Sequence, residues 1–129
     1  MRQALEDVTI ADFTQLMAGG WAAQKLGDMG ADVIKIEPPG GEVQREMSYS
    51  GQYLDGVGIG YLTMNRNKRS VSIDLKSDEG HEIAERIVEE TDVLMQNFRP
   101  GVKVVRVSDR INLTDAFEDR LAWAVNTCR

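Results

Sequence analysis

The sequence predicts an α/β fold built on a parallel, Rossmann-like sheet, and three observations carry that expectation. Short apolar, β-branched runs recur at residues 8–13, 31–37, 71–75 and 92–98. A helical stretch at residues 21–29 joins the first two runs at about the minimum length of a right-handed parallel crossover. A second helical stretch, with its apolar residues on one stripe, separates the third run from the fourth. Strands alternating with helices are the pattern of a parallel sheet.

Each element has a local cause. Val8-Thr9-Ile10-Ala11-Asp12-Phe13 reads as the first strand. Residues 14–20 break its pattern and close on Gly19-Gly20. The helix from Trp21 sets Ala22, Ala23 and Leu26 on one side, and Gly30 stands where a C-terminal glycine is expected. The second strand, Ala31-Asp32-Val33-Ile34-Lys35-Ile36-Glu37, is stopped by Pro38-Pro39-Gly40-Gly41. Residues 42–61 are polar and glycine-containing and read as a flexible loop; Gly56, Gly58 and Gly60 lack the strand–turn–helix context of a nucleotide cradle.

The third strand follows the basic cluster Asn65-Arg66-Asn67-Lys68-Arg69-Ser70. Ser77 is the expected N-cap of the next helix, with Asp78 and Glu79 in the first turn, where the helix dipole favours anions. Gly80, Ile83, Ala84, Ile87 and Val88 form its buried stripe, and His81 lies off that stripe as a surface residue. The fourth strand closes at Pro100-Gly101. Beyond it, residues 102–107 fit a strand, and Thr114 fits the cap of a helix carrying Phe117, Leu121, Ala124 and Val125.

Composition narrows the function classes. A chain of 129 residues with 42% hydrophobic and 28% charged residues is one soluble domain's worth. A net charge of -6 disfavours general nucleic-acid binding, which needs a basic face. One cysteine, Cys128, and one histidine, His81, exclude a disulfide framework and Cys- or His-pair metal sites within the chain. That usage suits a reducing compartment and a cytoplasmic location. No apolar run reaches membrane-spanning length, and the acidic N-terminus lacks a secretory signal's apolar core.

Ligands of parallel sheets bind outside the carboxyl ends of the strands. Four segments converge there: Leu16-Met17-Ala18, Pro38, residues 73–76, and Asn97-Phe98-Arg99. Arg66, Lys68 and Arg69 lead into the third strand and suit a pyrophosphate or a phosphorylated ribose, while Leu16, Met17 and Phe98 suit an apolar ligand part. The competing reading is a solvated basic turn beside an ordinary core. Ala18-Gly19-Gly20 is not the three-glycine dinucleotide fingerprint, which excludes NAD at this loop. Asp12, Glu37 and Asp74 are the thin candidates for acid–base work, and each equally fits a structural ion pair or a backbone bond. No spacing suggests a carboxylate pair, a Ser–His–Asp set or a metal cluster.

The order of motifs resembles the family III CoA-transferases, a group that includes formyl-CoA transferase, carnitine CoA-transferase and α-methylacyl-CoA racemase. The resemblance rests on residues 8–19, on Leu26-Gly27-Asp28-Met29-Gly30-Ala31-Asp32 running on to Gly41, on Asn65-Arg66-Asn67-Lys68-Arg69-Ser70 with Ile73-Asp74-Leu75-Lys76, and on Asp92-Val93-Leu94 through Gly101. It implies coenzyme A as substrate and acyl carrier, without a metal. It implies contacts from Leu16, Met17, Ala18, Pro38, Ile73, Lys76, Asn97, Phe98 and Arg99, beside the basic pair Lys68 and Arg69. Acyl-CoA and carboxylic acids are the implied partners, an interlocked homodimer the implied assembly, and neither nucleic acid nor membrane is expected. Formyl-CoA transferase carries glutamine at the position of Met17 and arginine at that of Pro38, which departs from an assignment to formyl transfer.

The implied reaction is CoA transfer between an acyl-CoA and a carboxylate. An α-methylacyl-CoA racemase and a non-catalytic CoA-binding remnant are the alternatives. The family's aspartate nucleophile and the racemases' histidine and aspartate lie downstream of the matching motifs, so no catalytic residue is expected in this chain. Residues 1–101 are therefore read as the N-terminal part of a family III domain, and residues 102–129 as a divergent tail, truncated or frame-shifted.

Overall fold

A computed structural model describes residues 2–98, so the expectations for Arg99, for residues 102–129 and for Cys128 lie outside the described residues. Four strands, β1 (Thr9–Asp12), β2 (Asp32–Glu37), β5 (Lys68–Ser72) and β6 (Val93–Met95), form one parallel sheet in the order β5-β2-β1-β6. Helix α1 (Leu16–Asp28) links β1 to β2, and helix α3 (Asp78–Glu89) links β5 to β6. Between β2 and β5 lie a 3₁₀ turn (Val43–Arg45), a two-stranded hairpin of β3 (Tyr53–Leu54) and β4 (Val57–Gly58), and helix α2 (Ile59–Met64). The parallel α/β fold is as expected.

Strand alternation divides the core between two faces. Ile10 and Val33 pack with Ala23 of α1 and with Ala31. Ala11 and Ile36 pack with Phe13, Ile73 and, from α3, Ala84 and Val88. On the α1 face the pattern changes toward the carboxyl ends of the strands. Two residues past Ile10 stands Asp12, and two and four residues past Val33 stand Lys35 and Glu37, all three buried. The sheet thus passes from an apolar half to a charged half along its own strands.

Local signals account for several boundaries. Gly30 follows the last turn of α1 with φ 106°, a conformation that favours glycine, as the sequence predicts. Ser77 caps α3 by accepting the Gly80 amide at 3.0 Å. Of the predicted stripe on α3, Gly80, Ala84 and Val88 are buried and Ile87 half-buried, whereas Ile83 is exposed.

Four expectations are corrected. First, α1 begins at Leu16 rather than Trp21, so Gly19 and Gly20 lie inside it. A Cβ on Gly19 would stand 2.3 Å from Thr14 Cβ, so the glycine lets the helix approach the strand exit closely. Second, the stretch at 42–61 is not one flexible loop. Asp55 and Gly56 have φ 50° and 79°, the positive pair of a tight hairpin turn, and Asp-Gly was the available signal. Third, the third strand is Lys68–Ser72, three residues upstream of the predicted run. Apolar patterning is blind to a lysine buried by an ion pair, and Lys68 is one. Fourth, Asp74 lies beyond the strand, in the turn before α3, where its side chain accepts the Lys76 amide at 3.0 Å. No helix among the described residues is long and apolar enough to cross a membrane.

Candidate functional site

Strand β1 lies between β2 and β6, and the chain leaves β1 toward β2 and β5 before returning to β6 on the other side. A reversal of this kind marks the crevice outside the carboxyl ends of the strands where parallel sheets receive ligands. The segment that crosses it, residues 12–16, is held at every position. Asp12 Oδ1 accepts the Thr14 amide at 2.9 Å and its hydroxyl at 2.5 Å. Thr14 O accepts Lys35 Nζ at 2.9 Å. The Asn97 side chain brackets Gln15, accepting its amide at 2.8 Å and donating to its carbonyl at 2.7 Å. The Leu16 amide donates to Glu42 Oε1. Leu16 itself has φ 61°, which costs a non-glycine residue about 1 kcal/mol and persists only where surroundings impose it.

Beneath this turn lies a layer of buried charge. Lys68 Nζ reaches Asp12 Oδ2, Gly20 O and Asn65 Oδ1, each at 2.9 Å. Lys35 Nζ stands 2.8 Å from Glu42 Oε2, with both side chains at most 3% exposed. Glu37 receives Arg45 through two bonds of 2.7 Å, the Tyr61 and Ser70 hydroxyls at 2.6 Å, and the Glu42 amide at 2.9 Å. The Arg45 guanidinium also stacks over the Tyr61 ring, 4.2 Å from its centre.

These surroundings set the protonation of the groups. Burial alone would raise the Glu37 carboxyl, but Arg45, Ser70, Tyr61 and the Glu42 amide outweigh it and hold the group well below the usual carboxylate range. Burial and the donated bond to Glu37 push the Tyr61 phenol up. Burial lowers the Lys68 ammonium, with the neighbouring Asp12 opposing. A carboxylate so strongly held in its charged form is a weak proton acceptor. Glu37 therefore serves structure, and Asp12, tied to Thr14 and Lys68, does likewise.

The expected contact residues among the described ones follow the carboxyl ends of their strands. Leu16 and Met17 are 44% and 48% exposed, and Ala18, Pro38, Lys76 and Asn97 are also exposed. Ile73 is buried, its amide bonded to Glu37 O at 2.8 Å, and Phe98 is half-buried against the core cluster that contains Ile73. A cleft of about 370 Å³ next to the turn is lined by Gln15, Pro38, Pro39, Gly40, Gly41, Glu42, Val43 and Glu46.

The basic cluster is paired within the chain. Lys68 is no surface cation, because its ammonium is enclosed by Asp12, Gly20 and Asn65. Arg69 is exposed but turned to the amino end of the sheet, where Asp32, the first residue of β2, holds it through bonds of 2.9 Å and 2.5 Å. Arg66 bonds Asp28 at 2.6 Å. The cluster ties β5 to α1 and β2, and of the expected cations among the described residues Lys76 is exposed, past the carboxyl end of β5. Sequence reasoning missed Glu42, Lys35 and Arg45. Their only signal was charge inside or just after an apolar strand, which does not reveal a partner. Among the described residues no group of three His, Cys, Asp or Glu side chains is placed to hold a metal.

Comparison with known proteins gives a consistent result. The family model of CoA-transferase family III matches residues 5–116. A formyl-CoA:oxalate CoA-transferase of Bradyrhizobium sp. (strain ORS 278) is 42% identical over 104 residues, covering 79% of this chain and 24% of that protein. A succinyl-CoA:mesaconate CoA-transferase of Haloarcula hispanica is 40% identical over 100 residues, covering 76% of this chain and 25% of that protein. The crystal structure of a CAIB/BAIF family protein from Brucella suis superposes with a TM-score of 0.72 at 34% identity, covering 78% of this chain and 27% of that one. The chain spans about a quarter of the length of the curated relatives it matches.

Proposed function

Because this chain belongs to CoA-transferase family III, we propose that it supplies the coenzyme A-binding edge of an acyl-CoA:carboxylate CoA-transferase. The observation that carries the reading is the pinned β1–α1 turn, which presents Leu16, Met17 and Ala18 next to Asn97 and, across a shared cleft, Pro38, while Lys76 is exposed past the carboxyl end of β5. Ile73 and Phe98 form the apolar floor. Past Leu16, whose amide Glu42 takes, the first-turn amides of α1 have no intrahelical acceptor and suit an oxygen-rich ligand. Lys76 is the proposed phosphate contact from this part of the chain, with Arg99 its proposed companion. Lys68 and Arg69 are not carried forward, since both cations are paired internally.

The proposed reaction moves CoA between an acyl-CoA and a free carboxylate. Within residues 2–98 the chain contributes binding rather than chemistry, because Asp12 and Glu37 are both engaged. A cytoplasmic homodimer is the proposed state of the whole protein. Titration calorimetry with CoA tests the reading. Binding is expected, and Lys76→Ala is expected to weaken it about tenfold to a hundredfold, as for a charged hydrogen bond. Absence of any CoA binding at millimolar concentration would sink the proposal.

A further inference from the structure

Glu42 belongs to no strand or helix, stands behind Pro38-Pro39-Gly40-Gly41, and is nevertheless only 4% exposed. A loop carboxylate remains in water unless something compensates its burial. Here one oxygen and the amide are hydrogen-bonded, and the second oxygen, which lacks a well-aligned hydrogen bond, is compensated by charge. Oε1 accepts the Leu16 amide, Oε2 stands 2.8 Å from Lys35 Nζ, and the Glu42 amide donates to Glu37 Oε2 at 2.9 Å. Lys35 also donates to Thr14 O, so one lysine on β2 secures both the carboxylate and the turn that the carboxylate holds. Gly40 and Gly41, with φ 89° and 88°, let the chain double back far enough to deliver the side chain.

We propose that Glu42, neutralised by Lys35, is a positioning residue: it imposes the left-handed conformation of Leu16 and thereby sets the affinity of the adjoining edge for its ligand. The effect on the turn rests on geometry alone; the effect on affinity rests on the CoA-binding reading. Glu42 acts through Leu16 and Thr14 and is not itself assigned a ligand contact. A carboxylate fits this role better than a small cap residue, because the acceptor must bridge from a separate loop to a turn whose own cap, Gln15, makes no side-chain bond.

The test uses the full chain as Glu42→Ala and Glu42→Gln, read by amide hydrogen exchange and by CoA titration. In Glu42→Ala the stranded Lys35 is expected to speed exchange throughout the sheet, the Leu16 amide is expected to quicken about tenfold more than the β1 and β2 amides, and CoA affinity falls about tenfold, the scale of one lost hydrogen bond. Glu42→Gln retains an acceptor oxygen but leaves Lys35 buried without its counter-ion, so it is expected to lose global stability much as the alanine variant does while returning Leu16 exchange, relative to β1 and β2, and CoA affinity to within about threefold of the original chain. Unchanged Leu16 exchange relative to β1 and β2 in the alanine variant overturns the inference, as does equal impairment of that exchange and of CoA affinity in both variants. Faster Leu16 exchange with unaltered CoA affinity overturns the link to the ligand. If the alanine variant does not fold, the glutamine variant decides: a protected Leu16 amide with CoA affinity kept supports the inference, and an exposed one overturns it. If the original chain binds no CoA, the functional reading fails while Leu16 exchange still decides the role of Glu42.

Discussion

The two ends of the sheet use the same chemistry in opposite surroundings. At the amino end, Arg69 pairs with Asp32 at 2.5 Å with side chains 67% and 48% exposed, and Arg66 pairs with Asp28 at 2.6 Å. At the carboxyl end, Lys68 pairs with Asp12 at 2.9 Å with side chains 1% and 0% exposed, and Lys35 pairs with Glu42 in similar seclusion. Distance does not separate the two groups, but solvent does. Exposed pairs are screened and contribute little; a buried pair contributes little net stability yet makes either partner's removal severe. The carboxyl end is therefore where the fold has least tolerance for a single change. That fits an edge whose backbone must hold one shape.

This contrast can be broken most forcefully at Lys68. Lys68→Ala leaves Asp12 buried without its cation and is expected to cost about 3–5 kcal/mol in urea unfolding. Combining it with Asp12→Leu removes the stranded charge and should recover much of that loss. Failure of the double variant to improve on the single one would mean that the charge itself is not what destabilises it.

A smaller effect is expected at Glu37, whose partner Arg45 is partly exposed. Glu37→Gln should cost about 2 kcal/mol near neutral pH, within the range for a charged hydrogen bond. The sign of its pH dependence follows from its depressed proton affinity in the fold. The stabilisation is present above the carboxylate's ordinary value of 4.5 and is lost as pH falls below it. The raised Tyr61 group acts oppositely, its contribution being lost as pH rises past the ordinary 10.0. Urea midpoints measured across pH should therefore fall at both ends, and Glu37→Gln should flatten the acid limb. An unchanged acid limb in that variant would contradict the assignment.

The weakest expected effect is at the other end of the sheet. Arg69→Ala should cost less than about 1 kcal/mol, and less still at high salt. CoA affinity should stay as it was, because Arg69 faces away from the ligand edge. A loss of affinity in this variant matching that of Lys76→Ala would erase the distinction drawn between the two ends.

Much of the fold was legible because its causes are local. Gly30 after α1, Ser77 before α3 and Pro38-Pro39 after β2 mark boundaries by backbone geometry that each residue carries with it. The misplacement of β5 has the opposite cause. Lys68 looks like a surface residue until Asp12, 56 positions earlier, is brought beneath it. The candidate site divides in the same way. Leu16, Met17, Ala18, Pro38, Lys76 and Asn97 were legible as residues at strand ends, while Glu42 and Lys35 were not legible as a pair.

The sequence alone thus determined the alternation of elements, several helix caps and the family resemblance, because each is written in contiguous residues or in spacings along the chain. Tertiary structure alone decided which charges are free. Lys76 remains in solvent, whereas Lys68, Lys35, Glu37 and Glu42 are withdrawn from it. A side chain's availability depends on what the rest of the chain packs over it, and no local pattern encodes that partner.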